Sequence, residues 1–246
     1  GAGAAAAWED AGGITFKEAG TNFTNSLLIG HTTTGTLDNA QQNIGVGIYA
    51  LDAITTGDNN TAVGVNSGTN ITSSSNNTLA GRYSGNSLAT GNGKNTFLGY
   101  QSGYYHSTGI DNTAVGSNAV YGTDGQSGDF NTAVGRDALK IAYGDSNIGL
   151  GNQAGDNITT GDGNVIIGSI NADSATGDKQ LIIADGVNGS VAWIKGDSSG
   201  NLTFPADVTL GDDLLLDSDS CVLKFGDDQD VTLTHTDGTG LTLNST

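Results

Sequence analysis

Asn-Thr-Ala-Val-Gly occupies residues 60–64, and the same five residues recur at 112–116 and 131–135. Looser versions of this repeat close at six further glycines, and successive closing glycines lie 16 to 19 residues apart. A unit this short cannot enclose a core, but stacked units can bury a continuous one. The repeat therefore decides the fold. The closing glycines are Gly30, Gly47, Gly64, Gly81, Gly99, Gly116, Gly135, Gly151 and Gly168.

The composition of the repeat favours strands over helices. Gly, Asn, Thr and Val are poor helix formers, and no apolar stripe of helical period is present. We predict an all-β protein, a parallel β-solenoid or β-roll of coils of about 17 residues. Residues 1–25 form an entry segment or cap, residues 26–184 form nine to ten coils, and residues 185–246 form a β-rich fibre segment with a shaft-like pattern of short strands.

Within each copy, strand alternation divides the residues between two faces. Thr61 and Val63 share one face, which we predict to line the coil, and the small Ala62 lies on the other with the repeated Asn. That Asn can bond neighbouring backbone and the Asn of the coils above and below. The closing Gly fits a corner that needs positive φ. The structural repeat residues are Asn60, Gly64, Asn95, Gly99, Asn112, Gly116, Asn131, Gly135, Asn147, Gly151, Asn164 and Gly168.

So thin a coil, lined by a few modest side chains, buries little apolar area. Small residues on the other face would let a second backbone approach closely. We therefore predict a homotrimer in which three columns pack side by side.

Charge and residue usage exclude several classes of protein. Eight Lys and Arg against 26 Asp and Glu give a net charge of −18, which makes nucleic acid and anionic membranes poor partners. No apolar run is long enough for membrane insertion. Cys221 is the single cysteine, and His31, His106 and His235 are scattered, so we expect surface or loop histidines, no metal site and no cofactor. The Asp-rich turns after residue 210 match no calcium motif.

Catalysis would need two placed carboxylates, as in a glycan depolymerase spike. The array contains no glutamate, and nearly all its aspartates fall in variable loops where solubility explains them, so we expect no enzyme. These residues are Asp38, Asp52, Asp58, Asp111, Asp124, Asp129, Asp137, Asp145, Asp156 and Asp162.

Aromatic residues cluster once, which makes them candidates for ligand contact. Tyrosine is a good contact residue because it offers a large surface at low entropic cost. The possible ligand-binding residues are Tyr100, Tyr104, Tyr105 and Tyr121, with Tyr83 one repeat earlier. The alternative is that these tyrosines only fill space in the loops and in the groove between chains. Ice binding by threonine ladders is not expected, because the repeated threonines are predicted to point inward.

The repeat, with Ala or Ser three residues after the glycine, resembles the head repeats of trimeric autotransporter adhesins, although those repeats are usually shorter. Together with residues 193–201 and 221–226, it is more similar to tail-fibre proteins of marine bacteriophages. This resemblance implies a trimeric phage tail-fibre element on the virion that joins other fibre or baseplate proteins and presents host-glycan contacts. A bacterial surface adhesin or extracellular filament subunit is the alternative.

Overall fold

The computed structural model describes residues 8–11, 14–20, 22–30, 34–91, 93–125 and 127–210. The chain divides into two compact units, Gly1–Asp207 and Val208–Thr246. The second unit lies almost wholly outside the described residues, as do Cys221, His31, His235 and the predicted strands after residue 210.

The described part of the chain contains fifteen strands and no helix. Most strands have only three residues, one short strand for each coil. The strands are β1 (Trp8–Ala11), β2 (Ile14–Gly20), β3 (Phe23–Ile29), β4 (Ala40–Gln41), β5 (Ile44–Val46), β6 (Thr61–Val63), β7 (Thr78–Ala80), β8 (Thr96–Leu98), β9 (Thr113–Val115), β10 (Thr132–Val134), β11 (Ile148–Leu150), β12 (Val165–Ile167), β13 (Leu181–Ala184), β14 (Ala192–Gly196) and β15 (Leu202–Thr203).

The strands of the array stack in parallel and in register. β3 pairs with β5, and each strand from β5 to β12 pairs with the next, so that equivalent residues lie side by side. The predicted parallel β-solenoid is therefore confirmed. With nine steps of ~4.8 Å, the ladder is ~43 Å long. Hairpin pairing of β1 and β2 with β3, and of β14 and β15 after β13, replaces parallel stacking at the two ends.

The predicted orientation of the repeat is wrong. The middle residue of each strand points into the coil: Ala62, Leu79 and Phe97 have no exposed surface. The flanking pair points outward, and Val63 keeps 44% of its surface exposed. The stretch between one strand and the next is a series of turns. The coil interior is so narrow that a middle residue and a residue of the facing turn must share it.

Large and small residues alternate across this narrow interior. A Cβ added to Gly103 would lie 2.2 Å from the ring of Phe97. A Cβ added to Gly149 would lie 2.8 Å from Leu139. Each large side chain therefore fills the space that a facing glycine leaves, and this gives a close-packed core without long strands.

A buried asparagine ladder runs along the coils, as the sequence predicted. The Oδ1 atom of Asn43 accepts the backbone N–H of Asn60 at 3.0 Å, and Asn60 Oδ1 accepts that of Asn77 at 3.1 Å. The Nδ2 group of Asn60 donates to the Ser74 carbonyl at 2.9 Å. Ser26 and Gln180 terminate the ladder. Its asparagines, each at most 1% exposed, are Asn43, Asn60, Asn77, Asn95, Asn112, Asn131, Asn147 and Asn164.

The corner glycines are required for two reasons. Gly116 has φ +138°, a conformation that L side chains rarely adopt. A Cβ at Gly116 would also lie 2.4 Å from the carbonyl oxygen of Gly135 in the next coil. The backbone at the corner is therefore packed directly against the backbone of its neighbour, and the predicted role of these glycines is confirmed.

Candidate functional site

The tyrosines at the centre of the array form one aromatic cluster. Tyr104 lies 4.6 Å from Tyr105 and 5.3 Å from Tyr121 between ring centroids, and 5.8 Å from Tyr83. Tyr105 and Tyr121 meet edge to face at 5.3 Å. The structure thus brings together three of the four predicted contact residues, with Tyr83 beside them. We call these four residues the tyrosine cluster.

Coil stacking produces the closest parallel pair in the tyrosine cluster. Tyr104 and Tyr121 occupy the same position, five residues after a corner glycine, in successive coils. The backbone N–H of Tyr105 donates to the Tyr121 carbonyl at 2.8 Å, which fixes the register. The rings of Tyr104 and Tyr121 are then nearly parallel, with an interplanar angle of 13°. An aromatic pair that is this well held is a preformed contact surface.

Two phenols of the tyrosine cluster, those of Tyr104 and Tyr121, keep their protons at neutral pH. Burial raises the pKa of Tyr104, and Tyr105, Tyr83 and Tyr100 raise it further. Burial likewise raises the pKa of Tyr121, with Tyr105 and Tyr104 adding to the effect. Their hydroxyls can therefore donate as well as accept hydrogen bonds. Tyr100, the fourth predicted contact residue, is 45% exposed and close enough to act on the pKa of both phenols.

Arg82 lies at one edge of the tyrosine cluster. Its guanidinium carbon is 4.4 Å from the centroid of the Tyr83 ring, and its Nη2 atom donates to the Tyr83 hydroxyl at 3.2 Å. The arrangement is a cation–π contact that leaves the other guanidinium N–H groups facing solvent. Arg82 therefore adds a fixed donor to the aromatic surface.

His106 lies beneath this surface, in the core. It has no exposed surface, and its ring meets Phe97 edge to face at 5.7 Å. Its Nε2 atom is 2.8 Å from Nδ2 of Asn112, while Nδ1 has no hydrogen-bond partner. Burial lowers the pKa of His106 from 6.5 to about 4, against a hydrogen bond with the Gly128 carbonyl that raises it. The expectation of a surface histidine is thus wrong at this position.

Four loop aspartates, three of them exposed and Asp129 half-buried, form a column on another side of the coils. The Asp145 Oδ1 atom accepts the backbone N–H of Asp129 at 2.8 Å, and Asp162 Oδ1 accepts that of Asp145 at 2.7 Å. Asp178 continues the pattern by accepting from Asp162 at 2.9 Å. These carboxylates cap backbone groups, and within the described residues no group of three His, Cys, Asp or Glu side chains could hold a metal ion. The prediction that the acidic loops serve solubility omitted this role.

Asp137 also departs from the solvent-exposed role predicted for the loop aspartates. Its side chain is only 5% exposed and forms ion pairs with Arg136 and with Lys140, the latter at 3.1 Å. Nδ2 of Asn118 donates to it at 3.1 Å. The coil after the tyrosine cluster is thus held together by a compact group of ions.

A polar cavity of about 380 Å³ lies near the end of the array, and sequence reasoning did not find it. Asp185 shapes its wall by accepting backbone N–H groups of Val187, Asn188 and Val191 at 2.8 to 3.0 Å. These bonds lower the pKa of Asp185 to about 2. We call the space the amide pocket, because its polar lining residues are Asn152, Gln153, Asp156, Ser169, Asn171 and Asn188.

The outward face of the parallel strands contains no charged residue. We call it the strand face, made of the first and third residues of β5 to β12. One column holds Thr61, Thr78, Thr96, Thr113 and Thr132 in succession, and the other holds aliphatic side chains such as Val63 and Val134. In a chain of net charge −18, so long an uncharged strip is a third feature that needs a function.

No protein-family model, curated protein or solved structure matches this chain. Within the described residues, no helix is long and apolar enough to cross a membrane. The features of the described residues that can carry a function are therefore the tyrosine cluster, the amide pocket and the strand face.

Proposed function

We propose that this chain is a structural fibre protein, a rigid trimeric spacer and attachment element of a phage tail fibre that presents contacts to a host surface. The observation that carries the proposal is the strand face. It points outward, is half-buried to exposed and is uncharged, and it repeats every ~4.8 Å, so copies of the same chain offer one another a regular surface.

The strand face alone is small for a subunit interface, so an assembly would also bury apolar residues at its edges. Its two columns, two residues apart along each strand, cover a strip of roughly 34 by 7 Å. That is under half of the ~800 Å² that one partner contributes to a standard interface. Ile48 and Val65, which follow corner glycines and are 51% and 38% exposed, extend the apolar surface beyond the strip. If each solenoid contacted two others in a trimer, the residues on both edges of the strip would be covered.

The mechanical role follows from the bonding within the coils. Every coil is tied to the next by strand hydrogen bonds, by the asparagine ladder and by corner-to-corner packing. Local opening must break several of these interactions together, which favours a stiff and protease-resistant rod. The same properties would serve a bacterial adhesin or an extracellular filament.

Mass photometry of the purified chain tests the assembly. We expect a particle of three times 24.7 kDa. Val63→Asp together with Val134→Asp places two charges on the strand face and should give monomers, because a buried carboxylate without a partner is costly. Phe130→Asp is the matched control, since Phe130 is 54% exposed but precedes the strand and lies off that face. A wild-type chain that stays monomeric would refute the trimer.

The threonine column favours ice binding as a second candidate function. The repeated threonines were expected to point inward, but the structure turns five consecutive ones outward in register. A flat, regular surface of hydroxyl and methyl groups can order water. An ice-recrystallisation assay on the chain, with Thr96→Lys and Thr113→Lys as the paired loss of function, separates the two uses. A monomer that inhibits recrystallisation would favour ice binding, and an inactive trimer would favour the fibre.

A further inference from the structure

The tyrosine cluster and the amide pocket lie on one continuous surface of the solenoid. We call it the turn face, made of the residues that follow each corner glycine. Backbone hydrogen bonds join its successive coils. The backbone N–H of Asn118 donates to the Tyr100 carbonyl at 2.9 Å, and that of Gln153 donates to the Arg136 carbonyl at 2.8 Å. In both bonds the donor stands two residues after a corner glycine and the acceptor stands one residue after the preceding corner glycine. The turns therefore stack with the same register as the strands.

The two sites are separated by a whole number of coils. Tyr104, Tyr121, Lys140 and Asp156 each follow a corner glycine by five residues, in four successive coils. Three steps of ~4.8 Å place Asp156 about 14 Å along the axis from Tyr104. Asp156 lines the amide pocket, and Tyr104 is the centre of the tyrosine cluster. The turn face thus carries an aromatic site at one end of this stretch and a polar site at the other.

The coil between the two sites does not interrupt the surface. The Asp137 carboxylate is buried and neutralised by Arg136 and Lys140, whose side chains remain partly exposed. Together with Arg82, these are three of the eight basic residues of a chain with net charge −18. The turn face is therefore far less negative than the chain as a whole, and a polar ligand can lie along it without crossing an uncompensated carboxylate there.

The chemistry of the two ends suits one kind of ligand. Flat phenol rings stack on the C–H faces of sugars, and their hydroxyls exchange hydrogen bonds with sugar hydroxyls. The amide groups of Asn152, Gln153 and Asn171 offer donors and acceptors in a cavity whose wall is already fixed by Asp185. Burial raises the pKa of the Asp156 carboxyl, against a hydrogen bond from Gln153, which marks it as a partly desolvated acceptor within that cavity.

We propose that the turn face binds a linear polysaccharide whose chain runs parallel to the solenoid axis, from the tyrosine cluster to the amide pocket. The inference deepens the attachment role of the proposed function and depends on it. It specifies an extended glycan that contacts successive coils, rather than a terminal mono- or disaccharide held at one site.

A glycan array of linear oligosaccharides of about two to ten sugars, neutral and acidic, tests this inference, followed by calorimetry with the best-binding series. Affinity should rise with chain length until one glycan reaches both sites. Tyr121→Ala and Gln153→Ala, at opposite ends, should each weaken binding of the long oligosaccharide by about tenfold or more. Phe130→Ala, which removes an exposed aromatic ring away from the turn face, should leave it unchanged.

Three results would overturn the inference: no binding to any linear glycan on the array, equal affinity for disaccharide and long chain, or an unchanged affinity in Gln153→Ala. The mass of the assembly is measured on the same samples. A trimer that binds no glycan contradicts this inference alone, whereas a monomer contradicts the fibre.

Discussion

Replacement of His106 by leucine should remove a defined part of the acid sensitivity of this protein. The position is apolar in the preceding coils, where Leu88, Ile71 and Ile54 are fully buried. His106→Leu therefore restores the residue type that the fold uses at this site. Because Nδ1 of His106 has no partner in the core, we expect the variant to be at least as stable as the wild type at pH 7.5.

The magnitude follows from the pKa of His106. Above pH 6.5 the imidazole is neutral in both folded and unfolded chains, so it adds no pH dependence. Between pH 6.5 and about 4 the unfolded chain takes up a proton that the buried ring refuses, and stability falls. At about 1.4 kcal/mol for each pH unit, the loss reaches about 3 kcal/mol. Below pH 4 the folded ring is protonated as well, and the loss stops growing.

Urea unfolding followed by circular dichroism, at several pH values from 7.5 to 4, measures this loss. The aspartates titrate in both proteins and cancel in the difference between wild type and His106→Leu. That difference should grow by about 3 kcal/mol as the pH falls. Leu88→His, which places a second histidine at the equivalent buried position, should steepen the dependence. A difference that stays constant over this range would refute the assignment of a buried, neutral His106.

Three further predictions concern the elements that hold the coils together. Asn131→Ala removes the acceptor of the buried Asn147 N–H and should lower the free energy of unfolding by about 2 to 4 kcal/mol in urea titrations, whereas the exposed Asn70→Ala should change it little. Gly116→Ala should lower the free energy of unfolding by about 3 kcal/mol or more. The loss should be clearly smaller for Gly125→Ala, because φ is also positive there but an added Cβ would meet no atom within 4 Å. Asp145→Asn keeps the Oδ1 acceptor and removes one charge from the aspartate column, so thermal melts should show it more stable than wild type at about 0.01 M salt and equal at about 1 M.

The sequence predicts those features of the fold that need one residue type at a fixed phase. A corner that packs backbone on backbone accepts only glycine, and a ladder that pairs each amide with the next coil accepts asparagine, so both are visible as a period of about 17 residues. The tyrosine cluster could be predicted for the same reason, since Tyr104 and Tyr121 are one repeat apart and parallel stacking must bring them together.

The orientation of the strand could not be obtained from alternation alone. Alternation separates two faces but does not say which one is buried, and the outward Thr and Val columns are as regular as the inward one. Side-chain volume holds the missing signal. Phe97 occurs with Gly103, and Leu79 with Gly85, so a large inward residue is matched by a glycine in the turn that faces it. Outward residues have no such compensation.

The histidine and the amide pocket were missed for different reasons. His106 stands in a segment without regular structure, where polarity suggests exposure, and only the apolar residues at the same phase of earlier coils show that it is buried. The amide pocket forms between the last coils and the segment after β13, and its lining follows no repeat. A site built where the repeat ends leaves no periodic trace in the sequence.

The two surfaces proposed for function meet only at the residue that directly follows each corner glycine, such as Ile48 and Val65. Each corner glycine separates the strand face from the turn face, so burial of the strand face in a trimer would leave the tyrosine cluster and the amide pocket open to solvent. Three parallel copies of the turn face on one stiff assembly would meet a polymeric glycan at several points at once. Such multivalent contact raises the overall affinity far above that of a single site, because each later contact is intramolecular. A fibre built from weak individual sites could therefore hold a surface firmly and still release it one contact at a time.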